Sequence, residues 1–216
     1  LVPGRSGTVY KTWLDQRGTA FKAGVEVATL DPFHGYKNAI DDKLADATAV
    51  LDAVHVVALA GRAVDEVRRR VQQEIHGHRG RAGDPLYGIR NILRCAAERL
   101  TEKQQARLAA AIAADERHDA VHIAWQCAQR VRAAYAHPDP ARGRQLAEQV
   151  VASFPTCPIP EIAKLGRTLK QWRDAFLAYF DTGRASNGGT ESINGLIELH
   201  RRIARGFRNR DNYRLR

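Results

Sequence analysis

Methionine is missing from the 216-residue sequence, and cysteine occurs only three times, as Cys95, Cys127 and Cys157. No two of these thiols form a C-x-x-C pair. An odd, scattered set argues against a disulfide framework and fits a reducing compartment, with the thiols read as small buried hydrophobes. No apolar run approaches the ~18 residues of a membrane-spanning helix, so no membrane partner is expected. The opening LVPGRSGTVYKTWL lacks the apolar stretch of a signal peptide. The missing initiator Met leads us to expect a processing point or a cut within a longer gene. No P-loop occurs, which argues against ATP use, and no internal repeat or low-complexity tract is found. The length suits one sizeable domain, or one domain carrying a large insertion.

Positive charge is abundant and unevenly placed. The formal net charge is +10. Residues 1–60 hold six Lys/Arg against seven Asp/Glu, whereas residues 61–216 hold 28 against 17. Most of the excess is arginine, whose planar fork grips phosphate through two parallel hydrogen bonds. Nucleic acid is therefore the leading partner class, although a GC-rich genome would enrich arginine too. The surplus peaks at the C-terminus, where seven arginines fall in the last 16 residues.

Apolar periodicity divides the chain. AGVEVATLD (residues 23–31) alternates like a strand and closes on Asp31, and ATAVLDAVHVVALA (residues 47–60) begins as a strand ending at Asp52. Between them, PFHGYKNAIDDKLA reads as a turn and one helix. Strand, helix and strand joined this closely make a βαβ unit with parallel pairing. GTVYKTWLDQRG (residues 7–18) reads as a helix feeding the first strand. Beyond residue 60 the strand signal fades, and apolar residues recur every three or four positions. LYGIRNILRCAAERL reads as helical, Thr101 to Gln104 as a capping box, and IPEIAKLGRTLKQWRDAFLAYFDTG as one helix ending at Gly183. The fold class is α/β and mostly helical by residue count. It has a partial α/β core over residues 1–60, an all-helical insertion over 61–180, and a returning helix with a basic tail over 181–216.

Three acids stand where chemistry is plausible. Asp31 and Asp52 end adjacent strands, and open parallel sheets place ligands at strand ends. Glu191 opens a helix far along the chain, behind the Ser-Asn-Gly-Gly-Thr stretch. Carboxylates from two strand ends and one helix can converge on two Mg²⁺ or Mn²⁺ ions ~4 Å apart, which suits phosphodiester chemistry. Each acid also has a plainer reading, as a helix cap, a turn former or a complement to the helix dipole.

The segment TLKQWRDAFLAYFDTGRASNGGTESINGLIELHRRIARGFRNRDNYRLR resembles the C-terminal signature of bacterial insertion-sequence transposases of the DDE type, in the insertion-sequence L-three group. LVPGRSGTVYKTWL, VATLDPFHGYKNAI and AVLDAVHVVALA match the upstream blocks of that group in order, so the resemblance spans essentially the whole chain. It implies an RNase H-like core with a helical insertion before the glutamate. It also implies that Asp31 is the second acid of the triad and Glu191 the third, together holding Mg²⁺ or Mn²⁺. Asp52 with His55 would support the site, and Asn194 would orient the carboxylate or the DNA. Arg201, Arg202, Arg205, Arg208 and Arg210 would track phosphates.

The implied partners are double-stranded DNA, as terminal inverted repeats and target, and further copies of the chain in a synaptic complex. The implied location is the bacterial cytoplasm, at the nucleoid. The first acid is expected on a strand upstream of residue 1, so the two-ion site is incomplete and the chain alone is expected to be inert. Val54 replaces the usual Phe, and Glu198 replaces the usual Lys. The alternative from another class is a basic helical DNA-binding module without chemistry.

Other constellations have simpler readings. His118 and His122 stand four apart, as a zinc pair might, but a third ligand is not evident. His76-Gly-His78 lies in a stretch that reads as a flexible basic connector. Trp13, Trp125 and Trp172 are spaced as core anchors, with stacking on a flipped base as the lesser reading for Trp125.

Overall fold

The computed structural model describes residues 6–203. Arg205, Arg208 and Arg210 lie outside that range, and of Arg201 only its place in a helix is described. The chain begins with α1 (Gly7–Gln16), capped by the Ser6 side chain, and a short α2 (Gly18–Ala23). Next come β1 (Val27–Leu30), α3 (His34–Lys43) and β2 (Thr48–Leu51). The two strands pair in parallel with Val27 opposite Thr48 and Leu30 opposite Leu51, so the expected βαβ unit is present. The first strand is shorter than its alternating pattern, because α2 runs to Ala23 and the Gly24 and Val25 N–H groups bond back to its carbonyls. The in-register pairing brings Asp31 and Asp52 to the same end of the sheet.

Helices account for most of the remaining described chain. α4 (Ala53–His76) starts directly at Asp52 and ends at Gly77, whose φ of 70° gives the left-handed C-terminal stop that glycine adopts without strain. Its buried stripe of Val56, Ala60, Ala63, Val64, Val67 and Val71 lies against α7 (Asp119–Ala136) and α9 (Pro160–Gln171). The facing side of α7 is made of small residues, Val121, Ala124 and Ala128, which permits close approach. α6 (Glu102–Ala113) opens on the expected capping box, with Thr101 and Gln104 exchanging hydrogen bonds. α8 (Pro140–Ser153) lies beside α7, α9 and α10 (Arg173–Asp181), and α10 rests on β2. Ala175 through Phe180 are all buried, as befits a helix enclosed by a sheet and a bundle. Phe176, Tyr135 and Phe180 interlock there at ring distances of 5.7 to 6.5 Å.

Two expectations need correction. Residues 86–100 do not form one helix, and beyond Gly88 they hold no α-helix. After α5 (Pro85–Gly88) they run through two isolated 3₁₀ turns at Ile92–Arg94 and Ala97–Arg99. The Gln129 side chain holds this path open, accepting from Ala97 N at 3.0 Å and donating to Cys95 O at 3.1 Å. The segment from Pro160 to Asp181 is two helices, broken at Trp172. That residue is buried, leaves the helix with ψ of 18°, and has its ring 4.8 Å from His34, so a tertiary contact fixes the break. Trp172 is a core anchor as expected, and Trp13 and Trp125 are half-buried against the core.

No helix among the described residues is long and apolar enough to cross a membrane. The final described element is α11 (Gly188–Ile203), and none of its residues whose burial is described is buried. A Cβ placed on Gly166 would come within 2.3 Å of Pro155 N and 2.4 Å of Phe154 C, both backbone atoms. Gly166→Ala should therefore separate α9 from the turn after α8 and cost about 1–3 kcal/mol, read as a lowered thermal-unfolding midpoint.

Candidate active site

The site grows from the end of β2. Asp52 is fully buried, and both carboxylate oxygens are occupied. Oδ2 accepts from Val54 N at 3.1 Å and His55 N at 3.2 Å, so the acid caps α4. His55 Nδ1 lies 3.0 Å from the same oxygen. Oδ1 accepts from Asn187 N at 2.9 Å, a contact that crosses from the sheet to the chain returning after the helical bundle. Burial by itself pushes the Asp52 pKa up. The Asn187 backbone N–H and the ring and backbone N–H of His55 outweigh it and hold the carboxyl below the ordinary aspartate value.

Asn187 is the residue the sequence reading missed. Its side-chain oxygen accepts from the Thr29 hydroxyl on β1, and its backbone oxygen accepts from Glu191 N at 2.9 Å, opening the first turn of α11. One residue thus ties the buried acid, the first strand and the glutamate together. The Ser-Asn-Gly-Gly stretch marked a helix start, but nothing local indicated which groups Asn187 would meet.

His55 collects the acids. Its Nδ1 lies 3.1 Å from Asp31 Oδ1, 3.0 Å from Asp52 Oδ2 and 4.0 Å from Glu191 Oε1. A single ring N–H can be shared by two acceptors at most in any useful geometry, so three carboxylates outnumber the donor they face. The Asp31 and Glu191 side chains keep 47% and 44% of their surface exposed, against 1% for Asp52. Of the three acids, these two are the ones that solvent reaches. Asp52, His55 and Glu191 also form the one group of possible metal ligands within 4.8 Å of one another among the described residues. The donors are oxygen-rich with a single imidazole, and hard oxygen donors suit a hard divalent cation. Because both Asp52 oxygens already accept hydrogen bonds, the free lone pairs belong mainly to Asp31 and Glu191.

An apolar cleft of about 390 Å³ opens beside Asp31, lined by Tyr10, Trp13, Thr29, Tyr36 and Asn187. Other expected groups are not gathered at His55. Asn194 is exposed further along α11. Arg202 is exposed and forms an ion pair with Glu198 at 3.4 Å, so the acid standing in the place of a lysine partly neutralises a candidate phosphate contact. His118 is buried, with Nδ1 2.7 Å from Ala111 O, while His122 lies beside Gln126. The two histidines are thus in separate structural roles.

A family model described as transposase matches residues 1–216. The chain belongs to the DDE-type insertion-sequence transposases, in the insertion-sequence L-three group. Proteins described as the transposase for insertion sequence element IS1557, in two strains of Mycobacterium tuberculosis, are 28% identical to it over 227 aligned positions. The alignment covers 96% of this chain and 50% of each relative, so the chain spans about half the length of these transposases. No solved structure matches the chain.

Because Asp52 is depressed in the folded state, the unfolded chain takes up its proton more readily. Its stabilising contribution should be complete above the ordinary aspartate value of 3.8 and be lost as pH falls through the lower, folded value. Asp52→Ala should cost about 1–3 kcal/mol at neutral pH, through the lost cap and the unsatisfied Asn187 N–H. Denaturant unfolding across acid pH checks both, and the variant should show a flatter profile below the aspartate range.

Proposed function

We propose that this chain carries part of the catalytic centre for DNA strand cleavage and strand transfer at insertion-sequence ends. One observation supports this above the others. Asp31, from the sheet end, and Glu191, from a helix beyond the whole bundle, meet the same ring nitrogen of His55. Parallel strands with acids at their ends, a helical bundle, and a returning acidic helix are consistent with an RNase H-like core. In that reading residues 1–60 and 181–216 belong to the core, and residues 61–180 are the insertion.

Asp31 and Glu191 would hold Mg²⁺ or Mn²⁺. Bound there, the ion would polarise a phosphodiester and make a water or 3′-hydroxyl a stronger nucleophile. The protein's own groups set the positions. Asp52 is fixed by its donors and orients the His55 ring, which in turn holds Asp31 near its place. Asn187 sets where α11 begins and therefore where Glu191 points. Asn194, further along the same helix, would face the DNA, and Arg201, Arg202, Arg205, Arg208 and Arg210 would follow its phosphates. The substrates would be double-stranded terminal repeats and target DNA, joined by a homo-oligomer in the cytoplasm at the nucleoid.

Calorimetric titration of Mn²⁺ tests this reading. The chain should bind Mn²⁺, and Asp31→Asn and Glu191→Gln should each weaken binding at least tenfold, a loss of about 1.4 kcal/mol or more. Equal binding by all three proteins, or by none, would discard the convergent site and leave a basic DNA-binding module without chemistry.

A further inference from the structure

The bundle carries a second concentration of charge, well away from the acidic cluster. Residues 86–107 contain Arg90, Arg94, Arg99, Lys103 and Arg107 against only Glu98 and Glu102, and α7 adds Arg130 and Arg132. Elsewhere in the described chain, several arginines sit on carboxylates. Arg70 bonds Glu161 and Glu74, Arg68 bonds Asp65, and Arg144 bonds Asp181. None of Arg90, Arg94, Arg99, Arg107, Arg130 and Arg132 forms an ion pair among the described residues. Six arginines without a carboxylate partner are thus gathered in this one part of the bundle.

Three of these side chains are also held by the backbone of one segment. Arg107 Nη2 donates to Gly88 O at 3.0 Å, and Arg132 Nη2 donates to Arg94 O at 2.8 Å. Arg90 donates to Tyr87 O at 3.0 Å and lies 4.1 Å above the Tyr87 ring. Each such bond uses one N–H of a guanidinium that has five, leaving the rest unspent. Arg94, Arg99, Arg107 and Arg130 are exposed. The irregular path from residue 89 to residue 99 gathers cations that a regular helix would spread around its circumference.

We infer that this segment, with the facing side chains of α6 and α7, is a phosphate-binding surface for double-stranded DNA, separate from the acidic site and from the basic tail. The inference rests on the DNA partner proposed above and adds a place where DNA is held. Gln72 on α4 donates to Asp84 at 3.4 Å, and the turn at Ile92–Arg94 lies against α4, so the surface belongs to the far half of that helix. Seventeen residues separate His55 from Gln72, or roughly 25 Å at about 1.5 Å per residue.

The test measures binding of a fluorescein-labelled mixed-sequence duplex to the full chain by anisotropy, across a salt series and with EDTA present. Arg94→Gln with Arg99→Gln removes two exposed charges whose side chains form no hydrogen bond or ion pair among the described residues. The slope of log affinity against log salt should fall in magnitude by about 2, since each released phosphate contact contributes about 0.9. Arg94→Lys with Arg99→Lys keeps the charge and should keep the slope. If the glutamine pair melts early, Arg130→Gln serves in its place, with an expected fall of about 1. An unchanged slope in a variant that melts like the parent overturns the inference, as does a lysine pair that behaves like the glutamine pair. An unchanged slope with intact Mn²⁺ binding removes this surface alone. A reduced slope with no Mn²⁺ binding removes the catalytic reading alone.

Discussion

A buried carboxylate organises this structure. Placing Asp52 out of reach of water would be costly unless its charge met fixed donors, because an ion deprived of its hydration must be repaid by hydrogen bonds in a low-dielectric setting. The donors come from separate parts of the chain: the first turn of α4, the His55 ring, and the backbone of Asn187 beyond the bundle. Satisfying that one group therefore fixes where β2 ends, where α4 begins and where the chain must return. The two exposed acids take their places from it. Asp31 is brought to the same sheet end by strand register, and Glu191 is brought there by the helix that Asn187 starts.

The local parts of this arrangement were legible in the sequence. Asp31 and Asp52 follow short β-branched runs, and an apolar alternation that stops at an acid is what a strand end looks like. Val56 to Val71 repeat at helical spacing, Thr101 and Gln104 fit a capping box, and Glu191 follows a glycine pair at a helix start. The contacts that depend on the whole chain were not legible. Nothing near Asn187 announces Thr29 or Asp52 as its partners. The break at Trp172 is decided by burial and by His34, while the apolar pattern on either side runs through it unbroken. The open path of residues 89–99 is decided by Gln129 from another helix, where the spacing of Ile89, Ile92 and Leu93 alone reads as helical.

Where α11 lies depends on very little. Among the described residues it buries none, and Ile193, Leu196, Ile197 and Ile203 stand exposed along it. The helix is attached through its first turn, where Asn187 meets Asp52 and Thr29. Glu191, the acid proposed to hold the ion, is thus carried by a lightly held element. Such elements open at low free energy compared with the core.

The length of α4 has a consequence for how this chain can vary. His55 is fixed in angle by Asp52 at the first turn, and the stripe from Val56 to Val71 is fixed in angle by α7 and α9. Both ends of one rod are therefore clamped rotationally. Adding or deleting a single residue within the helix would turn the part beyond it by about 100° relative to the part before it, since a helix takes 3.6 residues per turn. Related chains should differ in this helix by near-whole turns or by nothing, whereas the loops at its C-terminal end are free to change by any number of residues.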